Sequence, residues 1–345
     1  MTQDARTETG APRLYRLRDL LDALSEHAAR LEHARATGQP MGPVTGIEQL
    51  DRQLCGCLQP GLHVLKGNTG AGKTAFALQV AANCQCPALY VSCEMSALEL
   101  LRRHIARVTQ THLARMKDPG YDSDITPLTA EDIMHLAARA VDAAPQLVIV
   151  DSTRRRAFAP PDYLIEQARL LRQDFEAEHV LIVIDSLHSW ARGIEGEEYA
   201  RLEAAIDELE GVAADLDCPI LCIAEQTKKA NEAPESGALA SAGHRAIGYG
   251  SESVITLNAS DEGPNGLGET SVRLKLDKNR NGARCKAIHL KFHGSFQRFT
   301  VDVEHDDESD EQPRTRTRRS TDAQNKNMDT VIDLLRRALD PASKD

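Results

Sequence analysis

The segment Gly67, Asn68, Thr69, Gly70, Ala71, Gly72, Lys73, Thr74 has the residue types and spacing of a loop that cradles phosphate. Its glycines let the backbone turn successive N–H groups inward on an anion, and a helix starting at the loop adds the positive end of its dipole. Lys73 is expected to reach the β- and γ-phosphates and Thr74 to hold Mg²⁺ through its hydroxyl. The ligand is therefore read as ATP with Mg²⁺ rather than a dinucleotide. Three further segments carry groups suited to the same chemistry. In VLIVIDSLHSW an apolar run ends at Asp185, where a carboxylate suits the Mg²⁺ shell. In ALYVSCEMS the run from Ala88 to Ser92 is followed by Glu94, suited to orienting an attacking water or, alternatively, to capping a helix. In PILCIAEQTKK the run ends at Glu225 and Gln226, and Gln226 is suited to reporting a γ-phosphate.

Those groups work together only if one scaffold gathers the ends of several strands. Leu62 to Lys66 reads as a strand and Ala75 to Cys84 as a helix, which is the context a phosphate loop needs. From Gly42 to about Val303, nine strand-like runs follow: HVL, ALYVS, QLVIVD, VLIVID, PILCIA, SVITL, VRLKLDK, AIHLKF and FQRFTVD. Alternation with helical runs predicts an α/β core, a mainly parallel twisted sheet flanked by helices. The last three runs lack helices between them and read as C-terminal antiparallel hairpins. In such a sheet, ligands collect at the carboxyl edge of the strands.

Outside that core the chain divides by composition. Residues 1–12 read as disordered, and Leu14, Leu17, Leu20, Leu21, Leu24, Ala28 and Leu31 predict an amphipathic helix over about 13–36. A Gly/Pro-containing link completes this 13–41 segment. Its apolar face must lie on its own domain or on a neighbouring subunit. The ATPase domain is read as 42–303, and 304–345 as a charged flexible tail with a short helix over 328–339.

The 345-residue chain has a formal net charge of −11, which excludes a blanket basic surface for nucleic acid and leaves only local contacts. At 4% aromatic content, base stacking is not expected to dominate recognition, whereas Lys and Arg contacts to a phosphate backbone remain open. No apolar run approaches the ~20 residues that span a bilayer, and the first residues lack a signal-peptide core, so no membrane contact and a cytoplasmic location are expected. The eight scattered cysteines suit reduced thiols. Cys55/Cys57 and Cys84/Cys86 are a candidate four-thiolate zinc set whose spacing departs from the usual CxxC pairs.

The blocks TGIEQLDRQL, GNTGAGKTAFALQVA, ALYVSCEMSALEL, VLIVIDSLHSW, CPILCIAEQTKK and KLDKNRNG follow one another as in the RecA-like ATPase domain of DnaB-type replicative helicases, which residues 42–303 resemble. The resemblance is most specific at CEMS and KNRNG. It implies a RecA-like P-loop NTPase core that hydrolyses ATP and moves on single-stranded DNA in replication of a chromosome, plasmid, phage or other mobile element. The rival is a RecA- or KaiC-like regulatory ATPase that does not unwind DNA. Carried over residue by residue, Lys73 and Thr74 are the phosphate and Mg²⁺ ligands, Glu94 the catalytic carboxylate, Asp185 the Walker B acid and Gln226 the γ-phosphate sensor.

Lys278 and Arg280 match the family's hairpin pair, which reaches into the neighbouring subunit's ATP with the Arg as a finger. As alternate residues on one strand they are expected to point the same way. ATP sites between subunits imply head-to-tail interfaces and a closed ring, in that family a hexamer. The 13–36 helix then corresponds to the linker helix that docks on the adjacent subunit. The loops after Asp185, with Arg192 and Arg201, and after Gln226, with Lys228, Lys229, His244 and Arg245, would face single-stranded DNA at the ring's centre. The chain departs from the family in having EQTKK for SQLNR and SLHSW for YLQLM, changes that spare ATP chemistry and bear on unwinding. About 40 residues precede the ATPase region, where the family carries a primase-engaging domain, so recruitment of primase in that way is not expected; a loader or replication protein is left open as partner.

Overall fold

The computed structural model describes residues 14–118, 127–153, 158–224, 250–282 and 286–302. Strands β1 (Gly61–Gly67), β2 (Ala88–Ser92), β3 (Leu147–Asp151), β4 (Leu181–Asp185), β5 (Pro219–Ile223), β6 (Ser253–Ala259), β7 (Glu269–Asn279), β8 (Ile288–His293) and β9 (Arg298–Val301) form one sheet. Its order is β3-β2-β4-β5-β1-β6-β7-β8-β9. The pairings from β3 through β6 are parallel, and those joining β6, β7, β8 and β9 are antiparallel. This is the expected α/β arrangement, and its cause is local: parallel neighbours need a crossover, whereas antiparallel ones can be joined by short links.

Eight helices are described: α1 (Leu21–Thr37), α2 (Glu48–Gln53), α3 (Lys73–Asn83), α4 (Ala97–Thr109), α5 (Ala130–Asp142), α6 (Pro161–Asp174), α7 (Leu187–Trp190) and α8 (Glu198–Leu216). The central strands alternate their residues between two buried layers, because successive side chains leave opposite faces of a pleated strand. In β4, Leu181 and Val183 join the layer built with Phe76 and Leu78 of α3 and Leu100 of α4. Ile182 and Ile184 join the layer built with Leu164 and Ala168 of α6 and Leu209 and Val212 of α8. Each fully buried side chain of this kind contributes about 1.5–3 kcal/mol. The alternation puts residue 185 on the α3 side, just where β4 leaves the sheet.

Helix starts are set by short polar side chains. Ser96 accepts a hydrogen bond from the Glu99 amide at 3.3 Å to cap α4. Thr129 and Asp132 satisfy each other's backbone amides at the start of α5.

The amphipathic segment begins as a 3₁₀ turn at Leu17–Leu20, continues as α1, and stops where Gly38 takes a left-handed conformation. Only its C-terminal half touches the domain, through partly covered Leu31 and Ala34 and a 3.7 Å contact of Arg30 with Glu178. Leu14 is 97% exposed, Leu17 87% and Leu24 61%, so the apolar face is not covered by the protein's own core.

Candidate active site and an opposite-edge basic pair

The phosphate-type loop occupies the turn between β1 and α3. At Gly67 a Cβ would lie 2.3 Å from the Leu257 carbonyl oxygen, because β6 passes directly alongside. Gly72, at φ +82°, begins α3, and a side chain there would strike Phe299 at 2.9 Å and Phe292 at 3.1 Å. These two rings stack 4.5 Å apart and back the loop. Asn68, Thr69 and Gly70 are exposed, and Ala71 is buried and donates its amide to the Asn68 carbonyl at 3.1 Å. Lys73 Nζ donates to the Gly67 and Asn68 carbonyls at 2.8 and 3.1 Å. The ammonium is thereby held over the loop it follows.

Strand register brings the acids to the same edge. Ser92 at the end of β2 is level with Asp151 of β3 and with Asp185 of β4. Asp185 is buried, and its Oδ2 accepts a hydrogen bond from Tyr90 Oη at 2.7 Å. The Thr74 hydroxyl, in the first turn of α3, lies close enough to this carboxylate to help lower its pKa. Burial raises the Asp185 carboxyl above the ordinary carboxylate range; the Tyr90 bond, the Thr74 hydroxyl and nearby Arg103 pull the other way, and Glu94 adds to the rise. A buried carboxylate near a threonine hydroxyl, beside a second acid, is a fitting donor set for a hard divalent cation.

Glu94 stands exposed just past β2, and its Oε1 accepts from the hydroxyls of Ser186 and, at 3.0 Å, Ser189. The SLHSW segment thus supplies the two groups that orient Glu94. Tyr90, Ser186 and Ser189 were missed from sequence. A tyrosine inside an otherwise aliphatic strand was the one local signal, and the serines showed only as a departure from the family pattern. Beside them opens a cleft of about 420 Å³ lined by Ser189, Trp190, Arg192 and Arg201, the two arginines of the first loop.

The ionisation of Asp185 gives a signed expectation. A folded-state pKa above the unfolded value means stability present at low pH and lost as pH rises through the folded pKa. Asp185→Asn should therefore raise the melting temperature of the ligand-free protein at pH 7.5 by roughly 2–4 °C, for about 1 kcal/mol. The gain over wild type should shrink on acidification. Paired thermal melts across pH check this, and a lower melting temperature for the variant at pH 7.5 would contradict it.

Lys278 and Arg280 lie elsewhere. Ser253 pairs with His63 of β1 and with Asn279 of β7, so the pair sits at the amino edge of the parallel strands. From the level of His63 to that of Gly67 the strand climbs about 13 Å, before the phosphate loop has begun. Lys278 lies within β7, and Arg280 stands one residue past the strand's end, its amide donating to the Glu252 carbonyl at 2.9 Å. β7 ends at Asn279, because Asn279 Nδ2 bonds to the Gln53 carbonyl at 2.8 Å and its Oδ1 accepts the Asn281 amide at 3.1 Å, turning the chain. The two cations are still gathered: Arg280 pairs with Glu252 at 3.0 Å, and both lie within electrostatic range of Glu210. Partial burial and Arg280 lower the Lys278 pKa, and Glu252 and Glu210 oppose that shift.

Gln226, Lys228, Lys229 and Arg245 lie outside the described residues, as do Glu225 and His244. Cys84 and Cys86 have sulfurs 3.6 Å apart. Among the described residues there is no group of three or more His, Cys, Asp or Glu able to hold a metal, so Cys55 and Cys57 do not join them in a four-thiolate centre. Nor, among those residues, is any helix long and apolar enough to cross a membrane.

A mainly parallel sheet with a phosphate-type loop between β1 and α3, and acids at the neighbouring strand ends, defines a RecA-like fold with a P-loop. Residues 42–301 match the model of the DnaB-like helicase C-terminal domain, and the chain belongs to that family. It is 27% identical over 267 residues to the replicative DNA helicase DnaB of Treponema pallidum (strain Nichols), covering 75% of this chain and 56% of that protein. It is 24% identical over 275 residues to DnaB of Pasteurella multocida (strain Pm70), covering 75% and 55%. The chain thus spans about half the length of these relatives. The fold is similar to the ATPase domain of G40P, with a TM-score of 0.67 at 18% identity over 82% of this chain and 98% of that one. It is also similar to a DnaB-like replicative helicase solved in a study of its interactions with primase, with a TM-score of 0.62 at 18% identity over 84% and 67%.

Proposed function

We propose that this protein is an ATP-driven motor that moves on single-stranded DNA during replication, hydrolysing ATP at sites shared between subunits of a head-to-tail ring, as in a DnaB-like hexamer. Lys73 contacts the β- and γ-phosphates, and the loop from Gly67 to Gly72 wraps them with backbone N–H groups. Thr74 and Asp185 would hold Mg²⁺, which when bound neutralises charge on the phosphates. Glu94, steadied by Ser186 and Ser189, orients the attacking water and takes its proton. Gln226 senses the γ-phosphate.

The observation that carries this reading is the separation of the two halves of the site. Loop, Thr74, Asp185 and Glu94 share the carboxyl edge, while Lys278 and Arg280 stand at the amino edge, too far to serve their own subunit's nucleotide. Such a split suits a finger supplied to the next subunit. The uncovered apolar face of the segment leading into α1 supports the same assembly, since an adjacent copy can bury it. Arg192 and Arg201, with Lys228, Lys229 and Arg245, form the track for the DNA backbone, and a cytoplasmic setting goes with this reading.

The test is ATP hydrolysis with and without single-stranded DNA at two salt concentrations, with Lys73→Ala as the blank. DNA-stimulated, salt-sensitive turnover that vanishes in the blank is expected. Robust turnover indifferent to DNA would instead favour a regulatory ATPase acting on a protein partner.

A further inference from the structure

Away from the nucleotide site, α4 and β9 bring two arginines together over a pocket of about 360 Å³, lined by Gly46, Gln79, Asn83, Arg107, Arg298 and Thr300. Asn83 ends α3 and Lys73 begins it, so the pocket lies about 15 Å from the phosphate loop along the helix axis. It is a separate place.

Among the described residues, the charge there is uncompensated. Arg107 is largely buried, yet among the described residues its guanidinium bonds only to neutral acceptors: Nη1 donates to Asn83 Oδ1 and Nη2 to His104 Nδ1, each at 3.3 Å. His104 is held neutral for this role. Its other nitrogen donates to the Ala140 carbonyl at 2.8 Å, and burial with the adjacent Arg107 lowers its pKa to about 4. Arg107 Nε is buried with no hydrogen-bond partner among the described residues. Arg298 projects from β9 close enough to Arg107 to repel it, and burial plus that repulsion lowers the Arg107 pKa to about 10. No carboxylate among the described residues pairs with either side chain.

Two guanidinium groups placed together without an acid are costly unless an anion joins them. Neutral acceptors orient Arg107 without spending its charge. Because Asn83 turns its oxygen to Arg107, its amide N–H groups remain for a ligand, and Thr300 adds a hydroxyl. Planar guanidinium forks, an amide and a hydroxyl converging on one small pocket match a tetrahedral polyanion better than a single carboxylate. An extended nucleic-acid strand needs a groove instead. We propose that Arg107, Arg298 and Asn83 form a second anion site that binds a small phosphate, either inorganic phosphate or a phosphate monoester.

The test is isothermal titration with inorganic phosphate, then with ribose 5-phosphate, on wild-type protein with and without saturating Mg–ADP. One equivalent that persists when Mg–ADP is present, and also in Lys73→Ala, is expected. Arg298→Gln, at a half-exposed strand position, should weaken it by roughly tenfold or more. Asn83→Asp, which gives Arg107 an internal partner, should do likewise while melting temperature and ATP turnover stay near wild type. Tighter binding of ribose 5-phosphate would identify a monoester as the ligand, and equal or weaker binding inorganic phosphate. Loss of all phosphate binding in Lys73→Ala, or unchanged affinity in Arg298→Gln, would overturn the proposal. Failure of the motor reading leaves this test intact, because neither Arg298→Gln nor Asn83→Asp lies in the ATP site.

Discussion

Arg280→Ala is expected to leave ATP affinity near wild type and to lower turnover by roughly 10³–10⁵, the range a finger supplied in trans contributes. The residue stands at the far edge of the sheet from its own phosphate loop, so its removal should not disturb nucleotide binding within the subunit. Nor should it unfold the protein. The pair it forms with Glu252 has side chains 48% and 22% exposed, and such surface pairs contribute up to about 1 kcal/mol. The decisive measurement mixes Arg280→Ala with Lys73→Ala, each inactive alone. At a mixed interface the first variant contributes an intact phosphate loop and the second an intact arginine, so partial turnover should return. If no mixing ratio restores activity, the finger does not act between subunits.

Glu94→Gln is expected to keep ATP binding and to lower turnover by roughly 10²–10⁴, the usual contribution of a positioned general base. The substitution is informative because glutamine retains an Oε1 for the Ser186 and Ser189 hydroxyls, so the side chain keeps its place and loses only its charge. It also relieves the pressure that Glu94 places on Asp185, so metal and nucleotide binding should survive. Single-turnover hydrolysis after rapid mixing reads the chemical step directly. Wild-type rates in this variant would remove Glu94 from the reaction, leaving it as a helix-end acid.

Much of this was legible in the chain itself, for reasons that differ from element to element. The phosphate loop is contiguous, and its chemistry resides in backbone conformation and two adjacent side chains, so Gly67 to Thr74 could be read without a fold. Strands such as LIVID in β4 declare themselves because a strand buried on both faces must be apolar throughout. The alternation of strands with helices implied crossovers, and hence the parallel part of the sheet. The tail and the second DNA loop lie outside the described residues, so those readings remain proposals.

Local chemistry therefore determined that the chain folds as an α/β sheet around a phosphate-binding loop, and named Lys73, Thr74, Glu94 and Asp185 as the groups to watch. Tertiary structure alone decided which of them meet. Register and the period of two carried Asp185 to the α3 side, where Thr74 and Tyr90 reach it, and lined up the turn that lets two serines hold Glu94. The same pairing sent Lys278 and Arg280 to the opposite edge and joined Arg107 to Arg298 across the fold. Sequence spacing encodes a side chain's direction along its own element, whereas proximity between elements arises only when strand order, register and packing close the sheet upon its helices.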